Sequence, residues 1–126
     1  MAILKTAINI CSDPKAGEEA LGRAFNGLGV AYELKEKGDD VTIIFQGTGA
    51  RWPEELSNSD HPAHGLFKAV QDKVAGASCG CADVFGAREG AETSGVNLLK
   101  DNPLPGTSGV ASLRSLLKEG YTILTF

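Results

Sequence analysis

Val41-Thr42-Ile43-Ile44-Phe45 is a run of β-branched and aromatic residues without polar alternation, and its reading decides the fold. Such a run marks a strand buried on both faces, and strands of that kind belong to parallel sheets covered by helices. Upstream, Leu21, Ala24, Phe25, Leu28, Ala31 and Tyr32 recur at helical spacing, and Gly38 closes that helix. Asp13 followed by Pro14 supplies its N-cap and first helical position, with Glu18 and Glu19 where the helix dipole favours acids. Before it, residues 3–10 alternate apolar and polar side chains and predict a first strand.

Downstream, residues 46–62 read as a long polar loop containing QGTGARW. Ala63, Leu66, Phe67, Val70 and Val74 then line one face of a second helix, and residues 74–78 predict a third strand. Residues 82–93 predict a third helix, 96–99 a fourth strand, and 102–107 a Pro/Gly loop. A fourth helix over 108–119 rests on Val110, Leu113, Leu116 and Leu117 and ends at Gly120, and residues 121–126 form the last strand. The order βαβαβαβαβ predicts an α/β fold of three α/β/α layers around a mostly parallel five-stranded sheet. Residues 1–126 read as one domain, without a repeat or linker.

Composition narrows the function. With 126 residues and 42% hydrophobic content, folding buries roughly two-thirds of the chain's surface. The net charge of −4 and the lack of a basic stripe exclude nucleic acid as a partner. No apolar stretch approaches the ~20 residues that span a bilayer, and MAILKTAINI lacks the pattern of a signal peptide. Three cysteines in a chain able to build a core are an odd number and no disulfide framework. Together these features predict a cytoplasmic protein with reduced thiols.

In an open parallel sheet, chemistry gathers at the carboxyl ends of the strands, where the strand-to-helix loops emerge. The first strand ends in Cys11-Ser12-Asp13, the second in Gln46-Gly47-Thr48-Gly49, and the third in Ser78-Cys79-Gly80-Cys81. All three cysteines therefore belong to one edge. A helix N-terminus favours the thiolate, which is the nucleophilic form, and a helix beginning near Ala82 puts Cys81 at its N-cap. Gly80 is expected to permit a tight turn between Cys79 and Cys81. A buried packing role is the competing reading, strongest for Cys11 at the end of an apolar strand.

The segment AGASCGCADVFG, residues 75–86, resembles the cysteine-bearing segment of the DsrE/DsrF-like family, which includes the YchN-like proteins. AYELKEKGDDVTIIFQGTGARW, DHPAHGLFKAV and LLKEGYTILTF are similar to other parts of that family, in the same order. The resemblance implies a small α/β domain that assembles as a homo-oligomer such as a trimer or hexamer. It also implies sulfur relay, in which a cysteine of this loop carries a persulfide between a donor and an acceptor protein. Cys81 and Cys79 are the candidate catalytic thiols on this reading. Relatives often space their pair by two residues where this chain has Gly80 alone, which leaves open the sulfur that corresponds.

Cys11, Gln46, Thr48, Arg51, Trp52, His61 and His64 are candidate lining residues of a pocket at the same edge. His61 and His64 with Cys79 and Cys81 would make a Cys2His2 set, but the Cys spacing is short for zinc, so no metal is expected. Asp60 reads as the N-cap before them. QGTGARW lacks the third glycine of a dinucleotide loop and a phosphate-binding lysine, so no cofactor is expected either. The alternative to sulfur handling is a small-ligand-binding or assembly protein in which the cysteines are incidental.

Overall fold

Strands β1 (Lys5–Ile10), β2 (Asp40–Phe45), β3 (Val74–Ser78), β4 (Leu98–Leu99) and β5 (Thr122–Thr125) form one sheet in the order β4-β3-β2-β1-β5. The computed structural model describes residues 2–126, and every strand pairing within it is parallel. From β1 to β4 the chain steps in one direction across the sheet. Right-handed crossovers then place the intervening helices on one face. These are α1 (Glu18–Glu36), α2 (Trp52–Ser57), α3 (His64–Val70), α4 (Cys79–Val84) and α5 (Arg88–Thr93). The return from β4 to β5 runs the other way and puts α6 (Leu113–Lys118) on the opposite face, where Leu116 and Ile44 border one cleft. The result is the three-layer α/β/α arrangement that the alternation of elements implies.

The core lies on the α1 side. Ile8 and Ile10 of β1 are in register with Ile43 and Phe45 of β2, and all four are fully buried. They pack with Ala24, Leu28 and Ala31 of α1 and with Phe67 and Val70 of α3. Among the described residues no helix is long and apolar enough to cross a membrane.

Several element boundaries differ from the sequence reading. Asp13 caps a short 3-10 turn, Pro14–Ala16, by accepting from the Lys15 amide at 2.9 Å, and α1 starts only after Gly17. The expected polar loop over 46–62 contains a 3-10 turn, Gly47–Arg51, and all of α2. Trp52 and Leu56 bury themselves there, so the segment gains an apolar anchor that its polar composition hides. The helix expected over 82–93 is two helices, broken where Gly86 takes φ +67°. The fourth helix is shorter than expected because its N-cap is Ser112, whose hydroxyl accepts from the Ser115 amide. Asp60 is not a helix cap: α3 begins after Ala63, and the Asp60 amide donates to the Asn58 side chain.

Candidate functional site

Helix α4 starts at Cys79, directly from the end of β3, with Ser78 at its N-cap. This corrects the expected start near Ala82 and removes Cys81 from the cap position. The cause is tertiary. The Gly80 amide donates to the Gly109 carbonyl at 2.7 Å, so the 106–110 loop crosses the first turn of α4. A Cβ at residue 80 would stand 3.0 Å from Val110 Cγ1 and 3.1 Å from the Gly109 oxygen. Gly80 is thus required for close approach of a loop rather than for a turn between the cysteines.

Two helical residues separated by one point about 200° apart around the axis. Cys79 and Cys81 consequently serve different neighbourhoods, and all three thiols are free. Cys81 is half-buried and packs against the main core. On its side lies Cys11, whose thiol is pushed up from its ordinary value first by burial and then by the charge of Cys81, with Arg23 opposing.

Cys79 is only 2% exposed and has polar partners. Arg88 Nη2 donates to its Sγ at 3.0 Å, and Ser108 Oγ lies 3.2 Å from the same sulfur. Both partners also meet Asp83. Arg88 Nε donates to Asp83 Oδ1 at 2.6 Å, Nη2 approaches Oδ2 at 3.2 Å, and Ser108 Oγ donates to Oδ2 at 2.6 Å. The four side chains therefore close a ring, Cys79–Arg88–Asp83–Ser108. The Asp83 carboxyl is held down to about 2, first by Arg88 and next by the Ser108 hydroxyl. Asp83 and Cys79 raise the Arg88 guanidinium in turn. Arg88 thus places a charged donor on the sulfur, while the one Ser108 hydroxyl proton goes to Asp83 at the shorter distance. A sulfur in its thiolate form is a nucleophile and a leaving group. Next to this ring, Gly80, Asp83, Val84, Gly106, Thr107 and Ser108 line a cleft of about 280 Å³.

The remaining candidates are placed differently. Trp52 is 1% exposed and donates from its indole nitrogen to the Ser12 carbonyl at 2.7 Å, a core position rather than a pocket wall. Arg51 ties its own turn to the loop after β1 and to the α4–α5 connection: Nη1 pairs with Asp13 at 2.9 Å, Nε donates to the Phe85 carbonyl, and the guanidinium covers the Phe85 ring. Thr48 Oγ1 donates to the Cys11 carbonyl at 3.3 Å. Gln46 borders a separate cleft of about 420 Å³ with Asp101, Asn102, Ser112 and Arg114. His61 Nδ1 accepts from the Ala63 amide at 3.0 Å, and its ring meets Trp52 edge-on. His64 Nδ1 donates to the Leu56 carbonyl at 2.7 Å. His61 is engaged in its own turn and His64 with the backbone of α2, and among the described residues no three His, Cys, Asp or Glu side chains cluster to hold a metal ion.

Asp83, Arg88 and Ser108 are the residues that sequence reasoning missed. One signal was present: Arg88 is the only basic residue between positions 74 and 99. Ser108 gave none, since it comes to Cys79 from 29 positions away.

No family model matches the chain, and no solved structure matches it. An uncharacterized protein of Methanocaldococcus jannaschii is 37% identical over 94 residues, covering 75% of this chain and 72% of that protein. The aligned share of both chains and this level of identity mark common descent, and the chain belongs to the family of that archaeal protein.

Proposed function

We propose that the protein is a thiol-based sulfur carrier of the DsrE/DsrF-like kind, with Cys79 as the persulfide-bearing residue. The observation that carries this reading is the Arg88 Nη2 contact to Cys79 Sγ at 3.0 Å. In the loading step the Cys79 thiolate attacks the outer sulfur of a donor persulfide, R–S–SH. The donor S–S bond breaks, its electron pair leaves with the donor thiolate, and Cys79–S–SH forms with the proton kept on the outer sulfur. In unloading, an acceptor thiolate attacks that outer sulfur and Cys79 leaves as a thiolate, which Arg88 stabilises. No net oxidation occurs, and neither a metal nor a cofactor takes part.

Cys81 faces the core and Cys11 on this reading, so it tunes the edge rather than resolving the persulfide. Three free thiols accord with a reducing, cytoplasmic setting. The exposed residues of β5 at one sheet edge accord with a homo-oligomer larger than a dimer, such as a trimer or hexamer. Light scattering that reports a monomer at micromolar concentration would remove that part.

The decisive experiment is intact-mass analysis after incubation with a low-molecular-weight persulfide. A gain of one sulfur atom, retained in Cys81→Ser and lost in Cys79→Ser, is expected. A second reading, a small-ligand-binding protein with incidental cysteines, is favoured by the cleft at Gln46, which no cysteine lines. Absence of any sulfur adduct, with a Cys79→Ser/Cys81→Ser variant indistinguishable from wild type, selects that reading.

A further inference from the structure

We propose that Asp83 is the positioning residue of the Cys79 thiol, holding Arg88 and Ser108 where they reach Sγ. This rests on Cys79 being the reactive thiol and not on the transfer of sulfur. Asp83 stands four residues after Cys79 on the same helix, so its carboxylate shares a face with the thiol and is fixed relative to it. The other two members of the ring arrive from elements with more freedom. Arg88 is at the start of α5 with 44% of its side chain exposed, and Ser108 belongs to an exposed loop. Both oxygens of Asp83 are taken by these two residues, at 2.6 Å to Arg88 Nε and 2.6 Å to Ser108 Oγ. A long exposed side chain and a loop serine lose their fixed aim once that anchor is gone. The Asp83 carboxyl is ionised throughout the neutral range, so it anchors its partners and does not take the thiol proton.

The proposal separates from simple electrostatics by sign. A carboxylate close to a thiolate opposes it by Coulomb repulsion, so removing the charge alone would speed reaction of the thiol. Removing an anchor slows it.

The test is the rate of Cys79 alkylation by iodoacetamide at neutral pH, read on the Cys79 peptide by mass spectrometry. Asp83→Ala should slow labelling roughly tenfold, about what one charge-assisted hydrogen bond contributes. Asp83→Asn keeps a carbonyl acceptor for Arg88 and should restore part of the rate. In an Arg88→Ala/Ser108→Ala background, Asp83→Ala should slow labelling no further, because the residues through which it acts are gone and only its opposing charge is removed. Labelling of Asp83→Ala at or above the wild-type rate, or an equal slowing in that background, overturns the proposal. Alkylation needs no sulfur donor. A protein that takes up no persulfide but passes this cycle loses the carrier reading alone, and one that loads sulfur but fails the cycle loses only the role of Asp83.

Discussion

Arg88 Nη2 stands 3.0 Å from Cys79 Sγ while Nε of the same guanidinium stands 2.6 Å from Asp83 Oδ1. One planar group thus spans a sulfur and a carboxylate that lie one helical turn apart. The fork of donors is what makes this reach possible, and a single ammonium lacks it. Arg88→Ala and Arg88→Lys should therefore both slow alkylation of Cys79 at neutral pH, alanine by roughly tenfold or more. Labelling of Cys11 and Cys81 should stay within experimental error of wild type. A lysine variant as fast as wild type would show that charge suffices without the fork.

Gly80 gives a second way to perturb the thiol, from above. Its amide donates to Gly109, and an added Cβ would press on Val110 and the Gly109 carbonyl. Gly80→Ala should push the 106–110 loop outward, carrying Ser108 away from Sγ. The expected results are a stability loss of about 1–3 kcal/mol, as for overpacked sites, and faster alkylation of Cys79, because opening the cover over a sulfur only 2% exposed outweighs the loss of Ser108 while Asp83 and Arg88 stay in place. Chemical denaturation and peptide-level labelling check the two together. Slower labelling at full stability would mean that the loop does not cover the sulfur.

The contrast between Cys79 and Cys81 shows where sequence reading stops. The alternation of strands and helices, the layers and the shared edge of the cysteines were legible, because apolar runs of four to eight residues and helical periodicity report burial directly; the order of strands across the sheet was not. The start of α4 was not, since AGASCGCA carries no strong cap or periodicity, and a hydrogen bond from a loop nearly thirty residues later sets the helix. Arg88 and Asp83 are close in sequence and their pairing was open to inspection, whereas Ser108 is reached only through the tertiary fold. Trp52 misled for a related reason: one aromatic among polar neighbours reads as a pocket wall until its indole is found bonded to Ser12.

That indole supplies a third prediction. Trp52 is fully buried between α2 and the loop after β1, and its N–H satisfies the Ser12 carbonyl. Trp52→Phe keeps most of the apolar bulk but leaves this acceptor short of a partner, which costs about 1–3 kcal/mol. Trp52→Ala adds a cavity and should cost about 3–5 kcal/mol. The polar partners of the Cys79 sulfur are Arg88 and Ser108 and not Trp52 or Ser12, so thiol labelling of the folded fraction in Trp52→Phe should match wild type. Denaturant midpoints with an unchanged slope, followed by labelling below the transition, test both halves of the claim.

Acid should dismantle the ring around Cys79 in a defined window. The Asp83 carboxyl falls from the usual 3.8 to about 2 in the folded chain, owing first to Arg88 and then to Ser108. A carboxyl depressed on folding adds stability wherever the unfolded chain is also ionised, so the contribution is full above about pH 4. It shrinks as the pH falls from 3.8 towards about 2, where the folded carboxyl takes up its proton. Asp13 and Asp72 are depressed in the same direction, but they are present in both wild type and Asp83→Asn and cancel in the comparison. The difference in thermal midpoint between these two proteins should stay level from neutral pH to about 4 and close by about pH 2. Asp83 and Arg88 are 38% and 44% exposed, so the difference should be small and should shrink in high salt. A gap that persists undiminished at pH 2, or one that widens on acidification, would mean that Asp83 is not held as an anion by its two partners.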